Sequence, residues 1–159
     1  MSYPLLKTIH VLSMSLFFGA GLASAIVKLR ADRTKDPRVI AFVLGHIVWA
    51  DWLFTIPSGV LLPITGLWMV VLAGLPFTRP WIVLGIGFYA VAGLTWLPAA
   101  VLQLRMRRAA DQALSTGQPL PPEYWRWTRA WIGLGIPSFG AALFTVYVMV
   151  TKHVPLWQN

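Results

Sequence analysis

The chain has no cysteine and few charged residues. With Cys 0 in 159 residues, a disulfide framework, a thiolate zinc site, an iron–sulfur cluster and a cysteine nucleophile are all excluded. Only 11% of the residues are charged and only 5 are acidic, whereas a soluble globular domain carries about 25% charged residues. The sequence also lacks a Gly-rich phosphate loop, paired hydrolase carboxylates and a Ser–His–Asp set at one depth. The sequence therefore contains none of these catalytic motifs of soluble enzymes.

Apolar residues dominate instead. They make up 57% of the chain, with 9 tryptophans, and the mean hydropathy is +0.67. A soluble fold of this size could not bury so much apolar surface. Four segments reach the roughly 20 apolar residues that a membrane-crossing helix needs, and they are residues 4–27, 52–74, 80–103 and 130–151. The sequence predicts an all-α integral membrane four-helix bundle, with residues 1–159 as a single transmembrane domain.

The basic residues are unevenly distributed. Five of the 13 fall within residues 28–38 and five within residues 105–129. The other three are Lys7, Arg79 and Lys152. By the positive-inside rule, loops 28–51 and 104–129 are expected in the cytoplasm and both termini outside. The net charge of +8 then reflects topology, which predicts anionic lipid headgroups as partners and no nucleic acid.

The predicted connection between the first two spans, residues 28–51, contains two different segments. Residues 28–38 are expected to form a charged turn. Residues 39–50 are apolar but too short to span, and either extend the second helix beyond the membrane or lie at the interface. Asp51 is expected to begin the second span as an interfacial carboxylate, paired with arginines and favoured by the helix dipole. The alternative is a polar track with Thr55 and Ser58 on one helix face.

A weak internal repeat links the two halves of the chain. The segment AIVKLR at residues 25–30 matches AVLQLR at 100–105, and IPS at 56–58 matches IPS at 136–138. Two helical hairpins of the same orientation would then be related by a pseudo-twofold axis along the membrane normal. The centre of the bundle would be the natural place for a ligand.

His10 is the candidate functional residue inside a span. It lies six residues inside the first span, about 9 Å deep at the helical rise. A neutral imidazole is a good ligand for haem iron, and helical bundles hold cofactors between facing helices. The alternative is that His10 bonds a neighbouring helix or reaches the interface. Of the other histidines, His46 falls on the opposite side of the bilayer and His153 at the chain end, where solvation is usual.

A haem at His10 would take its second axial ligand from another helix. Met69 in the second span and Met149 in the fourth lie at a similar depth by their distance from the span ends. Met14 lies on the same helix as His10 and cannot serve. A five-coordinate site with His10 alone is equally open.

Eight short motifs are distinctive in combination. They are LLKTIHVLS at 5–13, FGAG at 18–21, DWLFTIP at 51–57, LPITGLW at 62–68, WLP at 96–98, QLRMR at 103–107, YWR at 124–126 and GIP at 135–137. Together they resemble the bacterial family of predicted integral membrane proteins called domain of unknown function 2269. The resemblance covers essentially the whole chain and implies a multi-pass inner-membrane protein, without implying an activity.

A more distant similarity, to HemJ-type protoporphyrinogen oxidases, bears on the cofactor. Those proteins open with a Lys-x-x-His on the first helix whose histidine is held to bind haem b, and Lys7 and His10 match that motif. Their second helix resembles the segments 55–57 and 66–68. The lysine that those enzymes carry early in the third helix has no counterpart within residues 80–103, so the resemblance does not extend to porphyrinogen oxidation.

Three hypotheses follow from the sequence. The first is a b-type haem protein for redox or electron transfer, with His10 as axial ligand and Met69 as a candidate second ligand. The second is a non-enzymatic membrane subunit or scaffold that binds a partner or lipid. The third, prompted by a similarity to CopD-type copper-resistance membrane proteins, is copper handling, since the soft thioether of Met suits Cu(I) and imidazole also binds copper. No residue is assigned a catalytic role.

Overall fold

The structure is a computed structural model that describes residues 2–152, and this part of the chain is helical apart from short turns. The helices are α1 (Tyr3–Thr34), α2 (Pro37–Ala50), α3 (Ile56–Leu72), α4 (Pro80–Thr116) and α5 (Pro122–Thr151). A π-helical turn, Asp51–Thr55, joins α2 to α3 without a break. Counting α2 and α3 as one, four helices are long and apolar enough to cross a membrane. The all-helical prediction is confirmed.

The ends of the helices follow from local sequence. Pro37, Pro80 and Pro122 are first residues of their helices, where the missing N–H costs nothing and the fixed φ suits a helix. Gly74 and Gly117 follow α3 and α4 with φ of 62° and 66°, a left-handed conformation that glycine adopts without strain. Gly74 and Gly117 thus allow the chain to turn sharply after α3 and after α4.

The π-helical turn has a cause in the sequence. The N–H of Ile56 donates to the carbonyl oxygen of Asp51, five residues earlier. Pro57 has no N–H to offer the carbonyl of Leu53, and its ring crowds that carbonyl. A wider turn before the proline relieves this conflict. Residues 39–50 are therefore a helical extension of the second span, the first of the two expected alternatives.

The expected charged turn over residues 28–38 is wrong. Helix α1 continues through Thr34, and only Lys35 and Asp36 separate it from α2. The Asp36 carboxylate caps α2 by accepting a hydrogen bond from the backbone N–H of Arg38 at 2.8 Å. Charged residues spaced along a helix do not break it, and pairs four apart support it. The charged residues within 28–38 therefore do not indicate the end of a helix.

The helices pack as two pairs, α1 with α3 and α4 with α5, while α2 lies against α1 and α4. Phe18 of α1 contacts Phe139 of α5 with ring centroids 5.2 Å apart. The Tyr89 hydroxyl of α4 donates to the carbonyl oxygen of Gly59 in α3. These contacts join the two pairs within the apolar part of the bundle.

A cluster of buried apolar side chains lies at one end of the bundle. We call this the basic end, formed by residues 28–50 and 103–131. Its hydrophobic core consists of Ala31, Ile40, Ala41, Leu44, Met106, Ala110 and Tyr124. Elsewhere apolar side chains cover the outside, as in Leu94, which is 71% exposed. At 1.5 Å per residue α4 is about 55 Å long, longer than the hydrocarbon core of about 30 Å, so the bundle projects beyond it.

Candidate functional site

His10 contacts helix α3 through its imidazole ring. Its Nδ1 lies 2.9 Å from Oγ1 of Thr65. The Thr65 hydroxyl carries one hydrogen, which it donates to the carbonyl oxygen of Leu61 at 2.6 Å. A Thr65 hydroxyl that donates to Leu61 can accept from Nδ1–H of His10, an arrangement in which the neutral ring keeps its lone pair on Nε2.

The backbone of α3 also contacts the His10 ring. Besides the contact of Nδ1 with Thr65, the ring hydrogen-bonds the backbone of Leu62. Residues 2–152 contain no fully buried side-chain nitrogen or oxygen without a partner. The ring lies close to Gly66, since a Cβ built there would lie 3.1 Å from His10 Cε1. Thr65 and Gly66 therefore position the ring.

The predicted methionine ligands lie in different places. Met69 is half-buried and one helical turn after Thr65 on α3, so it shares the face that contacts His10. Met149 packs on α4, because a Cβ built on Gly85 would lie 2.1 Å from Met149 Cε. Met149 is thus engaged between α4 and α5, whereas Met69 belongs to the helix beside His10.

The remaining metal candidates do not join this site. His46 lies in α2 at the basic end, with its ring 5.7 Å from that of Trp49. His153 lies outside the described residues. Within residues 2–152, no three His, Asp or Glu side chains come together as a metal site. Two surface grooves of about 270 and 280 Å³ are present in this part of the chain, and neither is lined by His10.

A buried charged cluster lies at the basic end, and we call it the Lys28 cluster. Its members are Lys28, Asp32, Tyr124 and Thr128. Lys28 is fully buried at 0% exposure, and its Nζ donates to Asp32 Oδ2 at 2.6 Å and to Thr128 Oγ1 at 3.2 Å. The Tyr124 hydroxyl donates to Asp32 Oδ1 at 2.5 Å. The ammonium and the carboxylate neutralise each other away from water.

The position of Lys28 corrects its expected role as a free loop charge. Its Nζ lies 5.1 Å from the ring centroid of Trp131, within the range of a cation–π contact. Arg30, Arg33 and Arg38 remain exposed. Lys28 therefore contributes to packing and not to the surface charge that orients the chain.

A second polar cluster surrounds Asp51, and we call it the Asp51 cluster. Its members are Asp51, Thr55, Gln103 and Trp131. The carboxylate accepts from Gln103 Nε2 at 2.6 Å and from the Thr55 hydroxyl at 2.8 Å. Trp131 Nε1 donates to Gln103 Oε1 at 3.2 Å. The expectation that Asp51 begins a helix and pairs with arginines is wrong, because the α2–α3 helix runs through it and an amide is its partner.

The two clusters occupy matching positions of the sequence repeat. Lys28 in AIVKLR corresponds to Gln103 in AVLQLR, and both side chains are buried. Lys28 extends from α1 to Thr128 of α5, and Gln103 extends from α4 to Asp51 before α3. Each polar residue thus bonds across to the other helix pair. This correspondence was the one sequence signal that pointed to these residues.

The clusters and His10 differ in what they can do. The clusters satisfy their own donors and acceptors, so they hold helices together and offer no open coordination position. His10 is held at Nδ1 by Thr65. It remains the candidate ligand that the sequence predicts.

These features define an all-helical, polytopic integral membrane protein with two polar clusters, the Lys28 cluster and the Asp51 cluster, toward one end. The chain belongs to the family of predicted integral membrane proteins DUF2269, which matches residues 4–153. The family resemblance seen in the sequence is thereby confirmed. Neither a curated protein nor a solved structure matches the chain. The family description carries no activity, so the function has to be argued from the site.

Proposed function

We propose that this protein binds b-type haem through Nε2 of His10 and serves in redox or electron transfer within the membrane. The observation that carries the proposal is the oriented ring, with Nδ1 of His10 2.9 Å from Oγ1 of Thr65. Metal-binding histidines almost always donate the other ring N–H to such a partner, which fixes tautomer and orientation. Haem, when bound, supplies one-electron chemistry.

The residues around His10 have a donor chemistry that suits haem iron, which takes histidine alone or histidine with methionine. Thr65 would hold the imidazole in its ligating tautomer. Gly66 supports this role because it lets the ring lie against α3. Met69 is the proposed second ligand, since it lies one turn after Thr65 on the helix that His10 contacts. Met149 suits the role less well because it is packed against Gly85.

The test is an absorption spectrum of the full chain, expressed with a haem precursor supplied and purified in detergent. We expect a Soret band that His10→Ala abolishes. His46→Ala is the matched control and should keep the band, because His46 lies in α2 beside Trp49. A folded wild-type protein that stays colourless with haem supplied would contradict the proposal.

Two further variants separate ligation from folding. Thr65→Val keeps His10 but removes the acceptor of Nδ1–H, and loss of such a partner weakens metal binding by about 10- to 100-fold. Met69→Leu should keep the Soret band and shift its position if Met69 is the second ligand. Haem affinity and spectra that are unchanged in Thr65→Val would count against an oriented ligand at His10.

The second candidate is a non-enzymatic membrane subunit or scaffold. It is favoured by the His10–Thr65 bond itself, which joins α1 to α3 without a cofactor. On this hypothesis the protein is colourless, and His10→Ala costs about 1 kcal/mol of stability for one hydrogen bond and leaves co-purifying partners unchanged. Copper that co-purifies with the protein and is lost in both His10→Ala and Met69→Leu would instead favour the copper-handling hypothesis.

We further propose that the basic end faces the cytoplasm of a bacterial inner membrane, with both termini outside. The exposed arginines at that end support this orientation, because cytoplasmic loops carry the excess of Lys and Arg. His10 would then lie in the outer half of the membrane.

A further inference from the structure

A groove of about 270 Å³ opens between α4 and α5 at the basic end. Arg105, Arg108 and Gln112 line it from α4, and Glu123 and Trp127 line it from α5. The α4 residues are spaced by three and four, so they share one helix face. Two arginines thus line the same groove.

The two arginines carry unpaired charge. Within residues 2–152 the ion pairs are Lys28–Asp32 and Arg107–Asp111, so neither Arg105 nor Arg108 is paired there. Glu123 is the carboxylate of the groove and leaves one net positive charge. The groove therefore favours an anion, and the paired fork of a guanidinium matches phosphate oxygens.

The depth of the groove matches the headgroup layer of a bilayer. Arg105 lies 25 residues after Pro80, about 38 Å along the helix. The hydrocarbon core is about 30 Å thick and the bilayer with headgroups about 40–45 Å. Trp127 has the amphipathic indole that is enriched at this level. Arginine and tryptophan thus meet where lipid phosphates lie.

Apolar side chains continue the same face of α4 into the membrane. Leu97, Val101 and Leu104 are 58%, 49% and 42% exposed, and they precede the arginines at helical spacing. An acyl chain could lie along this stripe while its phosphate contacts Arg105 and Arg108. A free phosphate ion would use the arginines alone.

We propose that this groove is a binding site for the headgroup of an anionic phospholipid. Arg105 and Arg108 contact the phosphate, Gln112 donates to its oxygens, and Trp127 packs beside the glycerol region. The site is independent of any cofactor at His10.

The test is native mass spectrometry of the full chain in detergent, titrated with dioleoylphosphatidylglycerol or dioleoylphosphatidylcholine. We expect tighter binding of the anionic lipid, and about 30-fold weaker binding in R105Q/R108Q. This follows from the loss of two charge-assisted hydrogen bonds to phosphate at about 1 kcal/mol each. The matched control R126Q/R129Q removes the same charge at exposed positions outside the groove and should weaken binding less than about threefold, because salt screens charges that do not contact the lipid.

Equal losses in the two double variants would show diffuse attraction and overturn the site, as would unchanged binding in R105Q/R108Q. Inorganic phosphate is titrated at constant ionic strength to separate a lipid from a soluble ion. Phosphate that binds as tightly as the lipid would overturn the lipid assignment. Elution volume and melting temperature check that both variants are folded, as expected for exposed arginines.

Discussion

At the scale of single residues, His10 and Lys28 show two ways in which a bundle accommodates an ionisable side chain. His10 uses one ring nitrogen to bond Thr65. Lys28 is fully buried, and its charge is compensated by Asp32 and by the rings of Tyr124 and Trp131. Removing one partner of such a pair leaves an uncompensated charge, which is more costly than removing both.

Lys28→Met is expected to lower the free energy of unfolding by about 3–5 kcal/mol, because the Asp32 carboxylate stays buried without its cation. The double variant Lys28→Met with Asp32→Leu should lose less than the single variant. The measurement is chemical unfolding of the detergent-purified protein. Arg30→Met, an exposed change on the same helix, serves as control. A Lys28 variant as stable as the Arg30 variant would show that the cluster contributes nothing.

At the scale of helices, the π-helical turn determines which neighbour Asp51 meets. One extra residue in a turn rotates the preceding helix by about 100° relative to the following one. In this chain Asp51 faces Gln103 of α4, and Gln103 in turn accepts from Trp131 of α5. The turn thus lets one amide side chain connect three helices.

Gln103→Leu should destabilise the protein by about 1–3 kcal/mol, because Asp51 loses an amide donor and the Trp131 N–H loses its acceptor in the interior. Thermal unfolding in detergent measures the loss. Leu104→Ala changes an adjacent side chain that is 42% exposed and should stay within about 0.5 kcal/mol of the wild type. Similar melting temperatures for the two variants would argue against a buried network at Asp51.

At the scale of the whole molecule, the two polar clusters lie at the basic end and His10 lies near the opposite end of α1. Lys28 and Gln103 each bond across the two helix pairs, which holds the basic end closed. The groove of Arg105 and Arg108 opens on the outside of this same end. The molecule thus has its buried polar clusters at one end and the candidate ligand His10 at the other.

The orientation can be tested directly because the chain contains no cysteine. Gln118→Cys in the turn after α4 should react with a membrane-impermeant maleimide only after the cells are permeabilised. Thr78→Cys in the turn before α4 should react from outside, because the turns lie at opposite ends of α4. Both cysteines are at exposed positions. The reverse pattern would place His10 in the cytoplasmic half and contradict the proposed orientation.

Composition and hydropathy alone determined the class of protein, the helical fold and four long apolar helices, because the thickness of a bilayer sets the length of any helix that crosses it. They also singled out His10, since an ionisable residue within a long apolar segment can be recognised from the sequence alone.

Only the tertiary structure decided which charges are buried. Lys28 meets Thr128 across 100 residues of chain, and Asp51 meets Gln103 across 52. The local sequence does not reveal such distant partners. Lys28, which follows an apolar segment, was therefore predicted to be an exposed charge in a turn. The same holds for His10, because its partner Thr65 lies on another helix, 55 residues along the chain. Whether a side chain is buried and which partner it bonds depend on residues far away in the sequence, and only the packing of the helices brings those residues together.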